Sequence, residues 1–364
     1  MSSSPDPALV SPSGSLRARG LGLPVPGRTG LHNAITDVAG VTVGMTTLTD
    51  PANPALHTGV TAILPRPRQD LLAPVWGGAF AMNGNGEMTG THWLHEAGWF
   101  TGPITITNSL SLGRAHHGTI RWMIREFGPR LDRHGLWLLP VAAETYDGWL
   151  NDIYAQSVTE DHVLAAIDAA TAGPVAEGSV GGGTGMIAYE YKGGTGTASR
   201  VVTLKGKDYT VGVLVQANHG LRPWLTVCGK PVGKALPGKA VWTQEKGSII
   251  AIVTTDAPLL PIQLQRLARR AAIGIGRGGT PSGNNSGDIF LAFSTANSPG
   301  PLPEPPELSL TAVGNDLLDP MFMAVVEAVD EAVLNAMLAA TPCLGRKGRF
   351  VEALDGAYLA SLFS

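Results

Sequence analysis

The chain has 364 residues, enough for one large domain or two ordinary ones with an ample core. Its composition, 44% hydrophobic and 15% charged, excludes a disordered chain and indicates a dense globular protein. The net charge of −3 gives no electrostatic basis for binding nucleic acid or an anionic membrane.

Signals of a special compartment or cofactor are few. Cys228 and Cys343 are too few for a disulfide framework and lack metal-ligand spacing, and the nine histidines form no HExxH-type cluster. No apolar run reaches the roughly 18 residues of a membrane span, and the N-terminus has no signal-peptide core. We expect a cytoplasmic protein without metal or cofactor, and no nucleic-acid or membrane partner.

The predicted elements alternate between strands and helices. Residues 1–20, rich in Ser and Pro, are expected to be a disordered leader to one domain over 21–364. The Pro-rich segment 298–307 is too short to separate two domains. Strand patterns with apolar residues on both faces predict stacked sheets covered by helices. The predicted strands lie within 32–65, 76–90, 102–113, 136–152, 180–202, 209–220 and after 286; the predicted helices span 91–100, 117–131, 160–173, 258–277 and the region from about 320.

The most informative stretch is PSGNNSGDIFLAFSTAN (281–297), in which a Gly/Asn-rich turn runs into an apolar strand. Ser286 follows Asn285 at its centre, where a hydroxyl can attack the preceding carbonyl and cut the chain. Such a cut would leave fragments 1–285 and 286–364, the second beginning with a serine that carries its own α-amine. Asn, Gly and Ser also dominate ordinary turns, so the window alone favours a plain hairpin turn.

Polar clusters at other strand ends favour a catalytic interpretation. Acyl transfer needs a nucleophile, a base and a donor for the oxyanion. An N-terminal serine supplies the first two, because a free α-amine titrates near neutrality. Asn218 is a candidate oxyanion donor and Tyr146 a candidate for assisting the reaction, although either residue also fits a turn or a half-buried strand end. A Ser–His arrangement with His219 is disfavoured, since no G-x-S-x-G elbow is present.

Several blocks in one order carry a family resemblance. They are NAITDVAGVTVG (33–44), NGNGEMTG (83–90), AETYDGWLNDI (143–153), VGGGTGM (180–186), VQANHG (215–220) and SGNNSGDIFLAFSTAN (282–297). Together they resemble the DmpA-like family of L-aminopeptidase/D-amidase/esterases and β-peptidyl aminopeptidases, from about Leu16 to the C-terminal helix.

The resemblance implies a four-layer αββα sandwich similar to the N-terminal-nucleophile hydrolases and a self-cleaved protomer, four of which assemble. It implies Ser286 as the nucleophile and Asn218 at the oxyanion position. Tyr146 falls at the position of the assisting tyrosine, and Glu144 at the position that binds the substrate's free amino group. Family members also place a hydroxyl and a carboxylate near the new N-terminus; Asp330 is the candidate carboxylate, but Ala328 offers no hydroxyl.

The expected activity is therefore removal of N-terminal residues from small peptides, amides or esters that carry a free amino group. Alternatives on the same scaffold are hydrolysis of ω-amino-acid oligomers and aminoacyl transfer between amines. An uncleaved, non-catalytic binding protein, in which GNNSG is only a turn, is the alternative from another class.

Overall fold

The computed structural model describes residues 5–297, 300, 302–304 and 307–364, so parts of the leader and of the Pro-rich segment 298–307 lie outside the described residues. In chain order the strands are β1 (Thr42–Asp50), β2 (Asn53–Leu64), β3 (Val75–Ala81), β4 (Trp99–Phe100), β5 (Ile104–Asn108), β6 (Val141–Thr145), β7 (Ile187–Ala188), β8 (Tyr191–Lys192), β9 (Gly194–Leu204), β10 (Lys207–Asn218), β11 (Thr226–Val227), β12 (Lys230–Pro231), β13 (Ser248–Thr255), β14 (Ile289–Ser294), β15 (Cys343–Leu344) and β16 (Phe350–Val351).

The helices are α1 (Thr91–Ala97), α2 (Leu112–His134), α3 (Glu160–Asp168), α4 (Pro261–Arg277), α5 (Asp319–Leu338) and α6 (Gly356–Ser361). Among these described helices, none is long and apolar enough to cross a membrane.

Two sheets form the centre of the fold, with strand orders β1-β2-β5-β6 and β4-β3-β14-β13-β10-β9. Their facing sides share one apolar cluster that includes Ile63, Ile106, Ile252 and Leu291. A second cluster packs α2 and α3 on the outer face of the four-stranded sheet, and a third packs α4 and α5 on the six-stranded sheet. The predicted αββα sandwich is confirmed.

Strand directions bring three chain segments to one edge of the six-stranded sheet. β13 runs antiparallel to β10 and parallel to β14, with Asn218 opposite Ser248 and Ile250 opposite Ile289. The last residue of β10 therefore lies beside the first residues of β13 and β14.

The predicted helix 91–100 is shorter in the structure. Gly98 adopts a left-handed φ of 77°, and its N–H donates to the Leu94 carbonyl, which ends α1 after Ala97. Trp99 and Phe100 then pair with β3 and form the edge strand of the six-stranded sheet.

The leader also differs from its prediction. Arg17 is buried; its guanidinium pairs with Glu177 at 2.9 Å and donates to the Thr197 carbonyl at 2.7 Å. The Ala18 N–H donates to Asn335 Oδ1 at 3.0 Å, under α5. Ser/Pro-rich composition suggested disorder over 1–20, but a buried arginine with several acceptors fixes the second half of this segment to the domain.

Glu331 on α5 is the centre of a buried ion network. Its side chain is fully buried, pairs with Arg200 at 2.8 Å and Arg19 at 3.0 Å, and accepts Asn33 Nδ2 at 2.7 Å. The network joins the N-terminal segment, β9 and α5, so that each of the three partners loses one acceptor if this carboxylate is removed.

We expect Glu331→Ala to lower the free energy of unfolding by about 3–5 kcal/mol, because Arg19 would lose its counter-charge and Arg200 one of its two carboxylate partners. Chemical denaturation measures the loss. Asp208→Asn is the control: it removes the exposed pair of Asp208 with Arg28 and should leave stability nearly unchanged. Similar stability of the two variants would contradict a structural role for the network.

Candidate active site

The site lies at the sheet edge where β10 ends and β13 and β14 begin. Asn218 is the last residue of β10, and Ser248, opposite it, is the first residue of β13. The turn 281–288 leads into β14 at the same edge. Loops from the four-stranded sheet complete the surroundings.

The carboxylate of Asp288 organises this edge. Its Oδ1 accepts the Ser286 hydroxyl at 2.6 Å and the Ile249 N–H at 3.0 Å, and its Oδ2 accepts the Ser282 hydroxyl. The Asp288 N–H donates to Asn83 Oδ1 at 2.6 Å. Asp288 is fully buried, so these donors replace the water that a buried carboxylate would otherwise need.

Ser248 is a second serine at the site. Its hydroxyl oxygen accepts the Gly287 N–H at 3.0 Å, and the residue is 6% exposed. The preceding position tolerates only glycine, since a Cβ at Gly247 would fall 1.5 Å from the Asn218 carbonyl oxygen. The Gly247–Ser248 peptide is therefore held directly against Asn218.

The sequence analysis did not single out Ser248, although a signal was present. KGSIIAIVTT (246–255) has a glycine and a serine directly before an apolar strand, as the window around Ser286 does.

Ser286 itself is fully buried, and its hydroxyl is donated to Asp288. Its amide N–H donates to the Gly283 carbonyl at 3.0 Å. The Asn285 carbonyl accepts Asn85 Nδ2 at 2.8 Å. The structure thus brings Ser286 into the site, and its role as nucleophile stays a prediction.

Asn218 is held by hydrogen bonds at both ends of its amide. Oδ1 accepts the Ile187 N–H at 2.8 Å, and Nδ2 donates to the Tyr146 carbonyl at 2.9 Å. An amide nitrogen carries two donors, so one N–H of Asn218 is left for a further acceptor.

Glu144 reaches the site from the end of β6. Its carboxylate accepts the Ser109 hydroxyl and, at 2.9 Å, the Glu87 N–H. A Cβ at Gly86 would lie 3.3 Å from Glu144 Oε1 and 3.0 Å from Gly287 Cα, which places the carboxylate close to the turn before β14. Burial raises the pKa of Glu144, while the Ser109 hydrogen bond opposes that rise.

Tyr146 adjoins the site as its solvent-exposed wall: its carbonyl accepts Asn218 Nδ2, and the residue is 43% exposed. A Cβ at Gly148 would fall 2.4 Å from its phenol oxygen, so this neighbour must be small. Burial raises the pKa of Tyr146, and the charges of Arg346 and Arg349 oppose the rise.

Asp330 is not brought into this group. Its carboxylate pairs with Arg277 at 3.5 Å, and no hydrogen bond within the described chain joins it to Ser286 or Ser248. Burial raises the pKa of Asp330 to about 6. The hydroxyl and carboxylate that lie beside Ser248 are instead those of Ser286 and Asp288.

His219 is fully buried next to Asn218 but forms no serine–histidine pair. Neither ring nitrogen has a hydrogen-bond partner among the described residues, and the ring meets Tyr189 edge to face at 5.2 Å. Burial lowers the pKa of His219, which favours its neutral form. Over the described ranges, no three or more His, Cys, Asp or Glu side chains are grouped to hold a metal ion.

Comparison with known proteins identifies related sequences over nearly the whole chain. The model of peptidase family S58 matches residues 33–351. A β-peptidyl aminopeptidase of Sphingosinicella microcystinivorans is 47% identical, covering 95% of this chain and 91% of its own. The corresponding protein of Sphingosinicella xenopeptidilytica is 42% identical, with 95% and 90% covered.

Solved structures of related enzymes are also similar to this chain over nearly its whole length. The L-aminopeptidase D-Ala-esterase/amidase of Ochrobactrum anthropi, described as a prototype for the serine aminopeptidases and a variant of the Ntn hydrolase fold, has a TM-score of 0.90 at 50% identity, covering 95% of this chain and 98% of its own. A β-aminopeptidase of Burkholderia sp. has a TM-score of 0.89 at 44% identity, with the same coverage. The family resemblance expected from the sequence blocks is confirmed.

Asp147 supports the wall formed by Tyr146. It is buried, and its carboxylate accepts Asn151 Nδ2 at 3.1 Å. Burial raises the pKa of Asp147 to about 7, although hydrogen bonds from Thr58, Asn151 and Asn108 act to lower it. The folded protein therefore binds a proton at Asp147 that the unfolded chain has already released.

This raised pKa predicts a pH-dependent stability. Between about pH 4, the pKa of an unfolded Asp, and pH 7, the contribution of Asp147 is lost as pH rises. Asp147→Asn should therefore lose less stability than wild type between pH 4 and 8, by on the order of 1 kcal/mol or more. Denaturant unfolding at both pH values measures the difference, and parallel loss in the two proteins would contradict it.

Proposed function

Because the chain belongs to peptidase family S58, we propose that it is a serine aminopeptidase that acts through an acyl-enzyme intermediate and is activated by self-cleavage. Its substrates are small peptides, amides or esters with a free amino group. The observation that carries the proposal is the group at the sheet edge: Ser248 opposite Asn218, with Ser286 and Asp288 beside it.

We assign the nucleophile to Ser248 and the cleaved bond to Gly247–Ser248. Three observations support this choice over Ser286. Ser248 begins a central strand of the six-stranded sheet, its peptide lies against Asn218, and its hydroxyl is not donated to any carboxylate of the described residues. Ser286 has its hydroxyl committed to Asp288. The Asn285 carbonyl does have a donor in Asn85, which keeps cleavage there as the alternative.

Maturation transfers one acyl group within the chain. The Ser248 oxygen attacks the Gly247 carbonyl carbon, the C–N bond breaks, and the released nitrogen takes the hydroxyl proton to become the α-amine. The resulting ester joins Gly247 to the Ser248 side chain. Water then hydrolyses it, leaving a carboxylate on Gly247 and a free N-terminal serine.

In turnover the α-amine of Ser248 is the general base. It accepts the hydroxyl proton as the oxygen attacks the substrate carbonyl, and it returns the proton to the leaving amine. The free N–H of Asn218 donates to the oxyanion, and Tyr146 assists at the open side. Ser286 and Asp288 orient the amine, the role that the sequence analysis gave to Asp330. Water hydrolyses the ester and releases the acyl group.

Glu144 binds the substrate ammonium. Two donors hold its carboxylate, and the charge pairing selects substrates with a free amino group. Since burial raises the pKa of Glu144, this selection should weaken as pH falls and the carboxylate takes up a proton.

The family resemblance further supports a homotetramer of processed protomers, and a cytoplasmic location stays a prediction. The named relatives act on β-peptides, L-amino-acid substrates, and D-Ala esters and amides. Hydrolysis of ω-amino-acid oligomers and aminoacyl transfer remain variants of the same acyl-enzyme chemistry.

Serine variants test the nucleophile. Ser248→Ala should give an uncut chain with no hydrolysis, because both steps lose the attacking oxygen. Ser286→Ala should still be cut and keep reduced activity, roughly 10- to 100-fold below wild type, since only the orientation of the base is lost. Gel analysis shows whether each variant is cut, and hydrolysis of an aminoacyl p-nitroanilide measures its activity. An uncut, inactive Ser286→Ala beside an active Ser248→Ala would reverse the assignment.

Glu144→Gln tests recognition of the ammonium. We expect kcat/KM to fall at least about 10-fold for free-amine substrates, because a charge-assisted contact is lost. N-blocked esters should change far less. Equal losses on both substrate classes would remove Glu144 from this role.

A further inference from the structure

A cavity of about 340 Å³ adjoins the segment that follows Tyr146, since Trp149 is part of its wall. Its walls also include Arg349, Phe350 and residues 239–241. A volume of this size is ample for one or two amino-acid residues.

Arg349 is a preorganised cation at this cavity. Its guanidinium carbon lies 3.9 Å from the centre of the Trp149 ring, and its Nη1 donates to the Trp149 carbonyl at 3.1 Å. No carboxylate in the described chain pairs with it, whereas the nearby Arg346 pairs with Asp152 at 3.4 Å. Arg349 thus keeps donors for an anion at little entropic cost, because stacking already fixes its plane.

Most other charged groups of the cavity already have hydrogen-bond partners within the protein. The Glu190 carboxylate accepts backbone N–H groups of Arg222, Val241 and Trp242. Arg222 donates to the carbonyls of residues 237 and 239, at 3.0 and 2.6 Å. Lys239 and Glu352 are exposed and of opposite sign. Arg349 is therefore the cation best placed to receive a ligand.

Arg349 also lies close to Tyr146, whose phenol oxygen is held against Gly148, one residue before the Trp149 ring on which Arg349 stacks. Although burial raises the pKa of Tyr146, the charge of Arg349 acts against that rise. Trp149 follows Tyr146 by three residues, so its backbone links the cavity to the wall of the site. The contacts of Glu144 run instead to Ser109 and the 86–87 turn. The carboxylate of Glu144 and the guanidinium of Arg349 thus adjoin the site through different segments of the chain.

We propose that Arg349 binds the C-terminal carboxylate of a short peptide substrate, in the part that leaves as the free amine. The inference rests on the proposed function. It adds a second specificity contact: Glu144 selects the free amino end, and Arg349 selects a free carboxyl end one or two residues beyond the cleaved bond. Di- and tripeptides are then preferred to longer chains and to amides.

The test compares a neutral dipeptide carrying a free C-terminus with its C-terminal amide. Wild type should hydrolyse the free acid with a kcat/KM at least about 10-fold above that of the amide, from one charge-assisted contact. Arg349→Gln should lose this preference while hydrolysing the amide at the wild-type rate. Arg349→Lys, which retains the cation, should keep most of the preference, and Arg346→Gln is the matched control because its cation is already paired.

Retained hydrolysis of the amide in Arg349→Gln separates the two claims: it shows an intact aminopeptidase whatever the role of Arg349. An unchanged preference in Arg349→Gln, or an equal loss on both substrates, would overturn the inference. A dipeptide amide with Asp in the second position, hydrolysed as fast as the free acid, would also overturn it, because a side-chain carboxylate would then suffice. Failure of wild type on every substrate would overturn the proposed function as well.

Discussion

A buried carboxylate cannot remain charged without donors, and the donors of Asp288 determine the geometry of this site. They come from Ser286, from the second residue of β13 and from Ser282. A single side chain therefore ties the start of β13 to the turn before β14. The chemistry of the site depends on which hydroxyl this carboxylate holds and which hydroxyl it leaves free to attack.

The sandwich makes that contact possible. β13 and β14 are parallel neighbours, so the chain must cross over between them, and α4 is that crossover. The crossover returns residues 286–288 to Ser248, nearly forty positions away in the sequence. Asn218 arrives from the antiparallel neighbour β10 on the other side of β13. Because both sheet faces are covered by packed layers, these strand ends are held rigidly.

Much of the fold and of the candidate site could be predicted from the sequence. Apolar strands, helical periodicity and ordered motif blocks predicted the αββα sandwich and the family, and Glu144, Tyr146, Asn218 and Ser286 do lie around one sheet edge. The choice between the two serines was not accessible, because each lies next to a glycine and shortly before an apolar strand. Only strand register shows that Asn218 faces Ser248.

Two expectations differ from the structure for physical reasons that a local pattern does not contain. Helical spacing put Asp330 at the border of an apolar stripe, but the pattern does not reveal that Arg277 on the neighbouring helix supplies its partner. Composition of the leader indicated disorder, but one buried arginine and its acceptors fix part of it to the fold.

The position of self-cleavage tests the central claim most directly, and the intact mass of the purified protein under denaturing conditions measures it. Cleavage before Ser248 predicts fragments 1–247 and 248–364, the second of 117 residues. Fragments 1–285 and 286–364, the second of 79 residues, would instead make Ser286 the nucleophile and contradict the assignment. A full-length chain that hydrolyses peptides would contradict activation by self-cleavage altogether.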